Sequence, residues 1–268
     1  MRYDRMLDGK RALITGGASK VGRACATLFA EHGARIAVAD IDAARGRELC
    51  RELAFTSSEN ADATFYEVDL REESEIERMC GAWLADGAPD VWLNCAGVYA
   101  PGYVDELPDE ALWEMTQVNL LAAFRIAKRI APAMAARGGG AIVQFASEYA
   151  LTGYNGVSGY AATMGGVCAM TQSLAIEFAP RRVRMNCLLP GLSASTVGDQ
   201  QEANMTEDER AAFWRKIAPI PRRARDEELA DAALFLASDM SRYITGEAIF
   251  VSGGQHVVAH NHYFRVAR

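Results

Sequence analysis

Ser147 precedes Tyr160 by thirteen positions, and Met164 follows Tyr160 by four. A serine hydroxyl and a tyrosine phenol brought to one cleft can do a defined job: one holds a carbonyl or carbinol oxygen while the other moves a proton. Residues at i and i+4 of a helix share a face, so Met164 points where Tyr160 points. A thioether there brings no charge. A free tyrosine titrates near pKa ~10, so Tyr160 without a neighbouring cation is expected to stay protonated at neutral pH. Glu148, Tyr149 and Tyr154 lie between the two hydroxyls and border the same cleft. Glu148 reads either as ordinary loop polarity or as a base for non-redox chemistry. Tyr99, Tyr103 and Trp214 join Tyr149 and Tyr154 as aromatic residues suited to a ring or apolar substrate body, or to packing.

A second group of residues reads as a nucleotide site. Thr15-Gly-Gly-Ala-Ser-Lys-Val-Gly22 follows an apolar run and opens a helical one. In such a turn glycines allow close backbone approach to a pyrophosphate, and the helix N-terminus stabilises its charge. The spacing does not meet Gly-x-Gly-x-x-Gly, so this segment alone also fits an ordinary strand-to-helix turn. Asp40 shifts the balance. It closes Ala37-Val-Ala-Asp40, where a carboxylate accepts from the adenosine ribose hydroxyls and repels a 2′-phosphate. NAD is therefore expected rather than NADP, with Asp42 the better helix cap.

Elements to position these residues are legible from periodicity. Short β-branched runs at Ala12–Thr15, Arg35–Ala39, Ala63–Val68, Val91–Asn94, Ala141–Phe145, Arg182–Cys187 and Ala248–Val251 alternate with amphipathic stretches. The helical stretches are Val21–His32, Ala43–Leu53, Glu73–Ala85, Ala111–Ala136, Gly159–Phe178 and Glu227–Ala237. This alternation predicts an α/β fold: one Rossmann-type, doubly wound parallel sheet of about seven strands with helices on both faces. Residues 1–268 form one domain in this reading, with its core at about 5–254 and a tail at 255–268. The polar stretch 192–225, with a helical piece at Thr206–Ile217, looks like a mobile insertion over the site.

Composition narrows the partners. A net charge of −7 argues against nucleic acid and anionic membranes. The first residues have no signal-peptide core, and six scattered cysteines read as reduced thiols, so a cytoplasmic location is expected. His256, His260 and His262 crowd the end of the chain; a metal site, a subunit contact and a frayed tail are all open readings, and no metal is expected.

Taken in order, these motifs resemble the short-chain dehydrogenase/reductase family over roughly residues 5 to 254. The family turn reads Thr-Gly-x-x-x-Gly-x-Gly; Thr15, Gly16 and Gly22 match it, and Lys20 replaces the middle glycine. Pteridine-reductase-like members carry arginine at that place. Asn94-Cys-Ala-Gly97 resembles Asn-Asn-Ala-Gly with Cys95 substituted, and Met164 stands where Tyr-x-x-x-Lys has its lysine. The resemblance implies Asn119, Ser147 and Tyr160 as the catalytic set, with Asn119 supporting a proton relay. It implies cofactor contacts from Thr15, Gly16, Ser19, Lys20, Val21, Gly22, Asp40, Ile41, Asp69, Leu70, Asn94, Ala96, Gly97, Asn119, Tyr160, Pro190, Gly191, Ser193 and Ser195. The family lysine bonds the nicotinamide ribose and lowers the tyrosine pKa; methionine does neither. A carbonyl or alcohol substrate and a homotetramer are likewise implied. Three functions stay open: an NAD-dependent oxidoreductase with weakened proton transfer, biased toward reduction; a nucleotide-binding protein with little turnover, such as a regulator or sensor; and a non-redox lyase or epimerase on the same fold.

Overall fold

The computed structural model describes residues 4–56, 63–194 and 205–258. Seven parallel strands form one sheet: β1 (Arg11–Thr15), β2 (Arg35–Asp40), β3 (Thr64–Glu67), β4 (Val91–Asn94), β5 (Gly140–Phe145), β6 (Val183–Pro190) and β7 (Ala248–Val251). Their spatial order is β3-β2-β1-β4-β5-β6-β7. The chain winds outward from β1 to β3, returns to place β4 on the other side of β1, and then continues to β7. The reversal between β1 and β4 is the topological switch point at which such sheets hold nucleotides.

Helices cover both faces, which explains why the strands read as apolar runs rather than alternating ones. Neighbouring residues on a strand project to opposite sides. Leu13 and Trp92 therefore enter one core with Ile126, Ile130 and Met134. Ile14 and Leu93 enter the other with Phe29, Leu49 and Leu234. The first core is roofed by α3 (Glu73–Ala85), α5 (Ala122–Arg137) and α6 (Ser158–Phe178); the second by α1 (Lys20–Glu31), α2 (Ala43–Thr56) and α8 (Asp226–Ala237), numbered after α4 (Asp109–Met115) and α7 (Glu207–Ile217).

Two elements differ from the sequence reading. The helix expected over Ala111–Ala136 is α4, a π-helical stretch Thr116–Leu121, and α5. A π-turn inserts without changing the apolar period on either side, so spacing alone does not show it. The strand expected to end at Cys187 continues to Pro190, because its second half pairs with β7 from Cys187↔Ala248 to Pro190↔Val251. In the stretch 192–225, Ser193 bridges to Ala224, and α7 buries Trp214 and Ile217. Residues 195–204 of that stretch, Ser195 among them, lie outside the described residues, as do His260 and His262.

Candidate active site

Two clefts open at the carboxyl ends of the strands and share Cys95, Ala96, Gly97 and Val98 as a common wall. One, about 500 Å³, lies over β1 and β2 and is lined by Gly16, Ala18, Ser19, Asp40, Ile41, Asp69 and Leu70. The other, about 330 Å³, lies over β4, β5 and β6 and is lined by Ser147, Tyr160, Met164, Pro190, Gly191 and Ser193. Together they form a trench across the switch point.

The turn after β1 explains the first cleft. Gly16 has φ +70°, and a Cβ there would sit 2.4 Å from the Ala96 backbone nitrogen. A Cβ on Gly22 would sit 2.2 Å from the Gly16 carbonyl oxygen. These glycines let the turn, α1 and the loop after β4 pack against one another. Ser19 caps α1: its Oγ accepts from Gly22 N at 3.1 Å and donates to Gly16 O at 2.7 Å. Ser19 and Val21 each line a cleft, so the N-terminus of α1 opens onto the trench, a placement that favours an anion.

Asp40 stands at the end of β2, its Oδ2 accepting from Ala18 N and its Oδ1 from Asp42 N, both at 2.9 Å. Asp42 caps α2, accepting from Arg45 N at 3.0 Å, so the two aspartates divide the work. Asp69 is held below the usual carboxylate range by its hydrogen bonds with Arg71. This end of the trench fits an adenosine and a pyrophosphate: a carboxylate at one end, a helix N-terminus in the middle, and only the small residues Gly16, Ala18 and Ser19 between them. Lys20 is exposed and lines neither cleft.

Several predicted residues act by positioning others. Thr15 Oγ1 donates to Asn94 Oδ1 at 2.6 Å, Trp92 Nε1 donates to Thr15 Oγ1 at 3.2 Å, and Asn94 Nδ2 donates to Gln144 Oε1 at 2.8 Å. This buried network ties together the ends of β1, β4 and β5. Asn119, on the π-helical stretch, accepts from Val98 N at 2.8 Å and donates to Val98 O at 3.0 Å and Thr163 Oγ1 at 3.2 Å. Its side chain clamps the shared wall of the trench. Gln255 holds the residue that follows Pro190 and Gly191, its Oε1 accepting from Leu192 N at 2.8 Å.

The second cleft gathers the hydroxyl pair. Ser147 is buried at the end of β5, where its Oγ caps a short 3₁₀ turn by accepting from Tyr149 N at 3.3 Å. Tyr160 lies in the first turn of α6 and lines the same cleft as Ser147. Met164 is 3% exposed and belongs to an apolar cluster with Ala146, Val167, Cys168 and Leu189. Its Cε would lie 3.8 Å from a Cβ built on Gly97, so the thioether fills the floor between α6 and the shared wall. Among the described residues lining this cleft there is no lysine or arginine. Desolvation pushes the Tyr160 phenol up to about 12, the neighbouring Ser147 hydroxyl opposing it and Tyr99 adding to it.

Sequence reasoning missed some of the lining. Leu229 of α8 and Phe145 enter the second cleft, and Cys95 lines both. Tyr99 meets Tyr160 edge-on with centroids 5.0 Å apart, and Tyr149 stacks on Tyr154 at 5.0 Å. Tyr103 turns outward, its hydroxyl accepting from Asn155 Nδ2 at 3.2 Å, and Trp214 packs with Phe213 beside Arg223. The six cysteines are free thiols.

Sheet order, glycine turn and hydroxyl pair together define a nucleotide-binding oxidoreductase, and the chain belongs to the short-chain dehydrogenase/reductase family. Residues 16–256 match a family model described as Enoyl-(Acyl carrier protein) reductase. The 3-oxoacyl-[acyl-carrier-protein] reductase of Chlamydia muridarum is 30% identical over 250 residues, covering 93% of this chain and 98% of that protein. An NAD-dependent glycerol dehydrogenase of Listeria innocua is 32% identical over 254 residues, covering 94% and 95%. Among solved structures, the L-sorbose reductase of Gluconobacter frateurii, complexed with NADPH and L-sorbose, superposes with TM-score 0.86 at 30% identity, covering 94% of this chain and 98% of that one. No helix of the described residues is long and apolar enough to cross a membrane.

Proposed function

We propose that the protein is a cytoplasmic NAD(H)-dependent oxidoreductase that interconverts a carbonyl and a secondary alcohol, with its proton transfer biased toward reduction. The observation that carries this reading is the Ser147–Tyr160 pair in a cleft whose floor is Met164 instead of a cation. A dinucleotide held along the trench by Gly16, Ser19 and Asp40 would supply or accept the hydride. Ser147 holds the substrate oxygen as a hydrogen-bond donor. Tyr160 gives its proton to that oxygen as charge develops during reduction.

The sign follows from the phenol. A group pushed up to about 12 is protonated throughout the physiological range, so the acid needed for reduction is always present. The phenolate needed for oxidation grows about tenfold with each pH unit below that value. Reduction should therefore be nearly flat from pH 6 to 9, while oxidation climbs steeply. A flat oxidation profile would remove the bias. Titration with NADH and NAD⁺, followed by a carbonyl and alcohol panel read at the nicotinamide absorbance, tests the whole assignment. Failure to bind either nucleotide overturns it. Tight binding without hydride transfer favours the second reading, a nucleotide-responsive regulator, which the apolar Met164 floor also supports.

Asp40 supports NAD over NADP, because its carboxylate lines the cleft where a 2′-phosphate would sit. Asp40→Ser should improve NADP(H) binding relative to NAD(H) by about 10- to 100-fold, in line with 1.4 kcal/mol per decade. An unchanged ratio in paired fluorescence titrations would relocate specificity elsewhere, Arg45 and Arg71 being cations that line that cleft. A homotetramer is proposed as well, supported by the exposed apolar Phe124 of α5 and Ile176 of α6, at 51% and 79% exposure. Sedimentation velocity checks it.

A further inference from the structure

Glu148 is a buried acid that the hydroxyl pair does not use. It is 6% exposed, opens the 3₁₀ turn after Ser147, and lines the catalytic cleft. Ser252 lies close enough to its carboxyl to offset part of the effect of burial. Ser252 Oγ in turn lies 2.9 Å from His256 Nδ1. That imidazole rests flat on Phe250, with centroids 3.9 Å apart and planes 9° from parallel. A packed ring thus holds the serine beside the carboxyl. The Glu148 Oε2 is buried and has no hydrogen-bond partner among the described residues. A buried acceptor left unmet is costly, so this oxygen favours a donor brought by a ligand. No other acidic or basic side chain lines this cleft among the described residues.

We propose that Glu148 determines specificity by accepting a hydrogen bond from a hydroxyl beside the reacting carbon, so that the substrate is an α-hydroxy ketone and its reduced form a vicinal diol. This rests on the hydride-transfer reading above. Ser147 and Glu148 line the same cleft, so the hydroxyl is placed on the carbon next to the carbonyl whose oxygen Ser147 holds. Burial pushes the Glu148 carboxyl up to about 7, which suits a neutral hydroxyl, able to accept as well as donate, better than an ammonium that needs a full counter-charge. In the reduction the hydride of the bound dihydronicotinamide adds to the carbonyl carbon and the Tyr160 proton to the carbonyl oxygen. The neighbouring hydroxyl, held by Glu148, keeps its own proton.

The test uses matched ketones that differ only in hydroxyl against methyl: hydroxyacetone with butanone, and 2-hydroxyacetophenone with propiophenone. The wild-type enzyme should prefer the hydroxy ketone of at least one pair by roughly 10- to 100-fold in kcat/KM. Glu148→Leu should collapse that ratio to within about threefold of unity, carried mainly in KM. Glu148→Gln, which keeps an acceptor, should retain most of it, and Ser252→Ala should lose part of it by freeing the carboxyl. A merely structural role would lower both members of a pair together and leave the ratio intact. NADH titration of each variant separates the two levels of the argument. If NADH binds and no pair shows a hydroxyl preference, or if aminoacetone outperforms hydroxyacetone, the assignment of Glu148 fails while the nucleotide site stands. If NADH does not bind the wild type, the oxidoreductase reading fails first.

Discussion

Replacing Met164 with lysine should raise alcohol oxidation at pH 7 by about two orders of magnitude, with little change in reduction. The phenol of Tyr160 is pushed up to about 12 by desolvation, and no cation among the described cleft residues opposes that push. An opposite charge within about 4–6 Å shifts a titrating group by roughly 1–3 units. Below the pKa, each unit of decrease multiplies the phenolate fraction about tenfold. Met164 shares the helical face of Tyr160, so a lysine at 164 brings its ammonium to the same cleft. Oxidation gains because its base becomes populated; reduction gains little because its acid is saturated in either protein. The advantage should persist up to the lowered pKa of the variant and shrink only beyond it, as pH rises toward 12 and the wild-type phenolate forms. Stability should move the other way, since Met164 is 3% exposed among apolar neighbours and a lysine head group there is poorly solvated. Met164→Leu separates charge from shape: it should show no gain. Rate profiles from pH 6 to 10, with melting temperature and NADH affinity for each variant, decide the matter. A folded, NADH-binding Met164→Lys enzyme with wild-type oxidation at pH 7 would mean that the missing charge is not what limits proton transfer.

The parts of this site that were readable in the sequence are those whose physics is local. Strand positions such as Leu13–Ile14 and Trp92–Leu93 announce a two-faced buried sheet, because consecutive apolar residues are needed when both sides meet helices. The Gly16–Gly22 turn, the strand-end Asp40 and the i, i+4 relation of Tyr160 to Met164 are likewise short-range patterns. What stayed hidden depends on distant partners. Asn119 is a residue of the proton-transfer set by resemblance, yet its amide is spent on Val98 and Thr163, an arrangement created by a π-turn that leaves no periodic trace. Asn94 faces a polar network under the sheet end rather than open space. Glu148 reads in sequence as loop polarity or a base, because the residues packed beside it, Ser252 and then His256, arrive from beyond β7. His256 itself, grouped by sequence with the terminal histidines, turns inward onto Phe250.

Gly16→Ala should cost far more than Gly9→Ala, although the two glycines have nearly the same positive φ. Gly9 has φ +68° and nothing within 4 Å of a built Cβ; Gly16 has φ +70° and a built Cβ at 2.4 Å from Ala96 N. The left-handed conformation alone costs an L-residue about 1–2 kcal/mol, which in a domain of this size lowers the melting temperature by roughly 2–8 °C. Gly9→Ala should show that and no more. At Gly16 the same strain is joined by a clash with backbone, which a rotamer change does not relieve. The turn must move away from the loop that carries Ala96 and Gly97, the wall shared by both clefts. Gly16 N also donates to Ala39 O at 2.8 Å and Ser19 N to Gly16 O at 3.2 Å, so displacement loosens the hold of the turn on β2 and on the cap of α1. The expected result is a loss of roughly 10 °C or more for Gly16→Ala, from strain plus overpacking, and NADH affinity weaker by about 100-fold, equivalent to ~2.8 kcal/mol. Differential scanning fluorimetry and fluorescence titration read the two effects separately. Equal melting temperatures for the two alanine variants would show that the turn is free to yield, and the close packing at Ala96 would then not be what fixes the geometry of the trench.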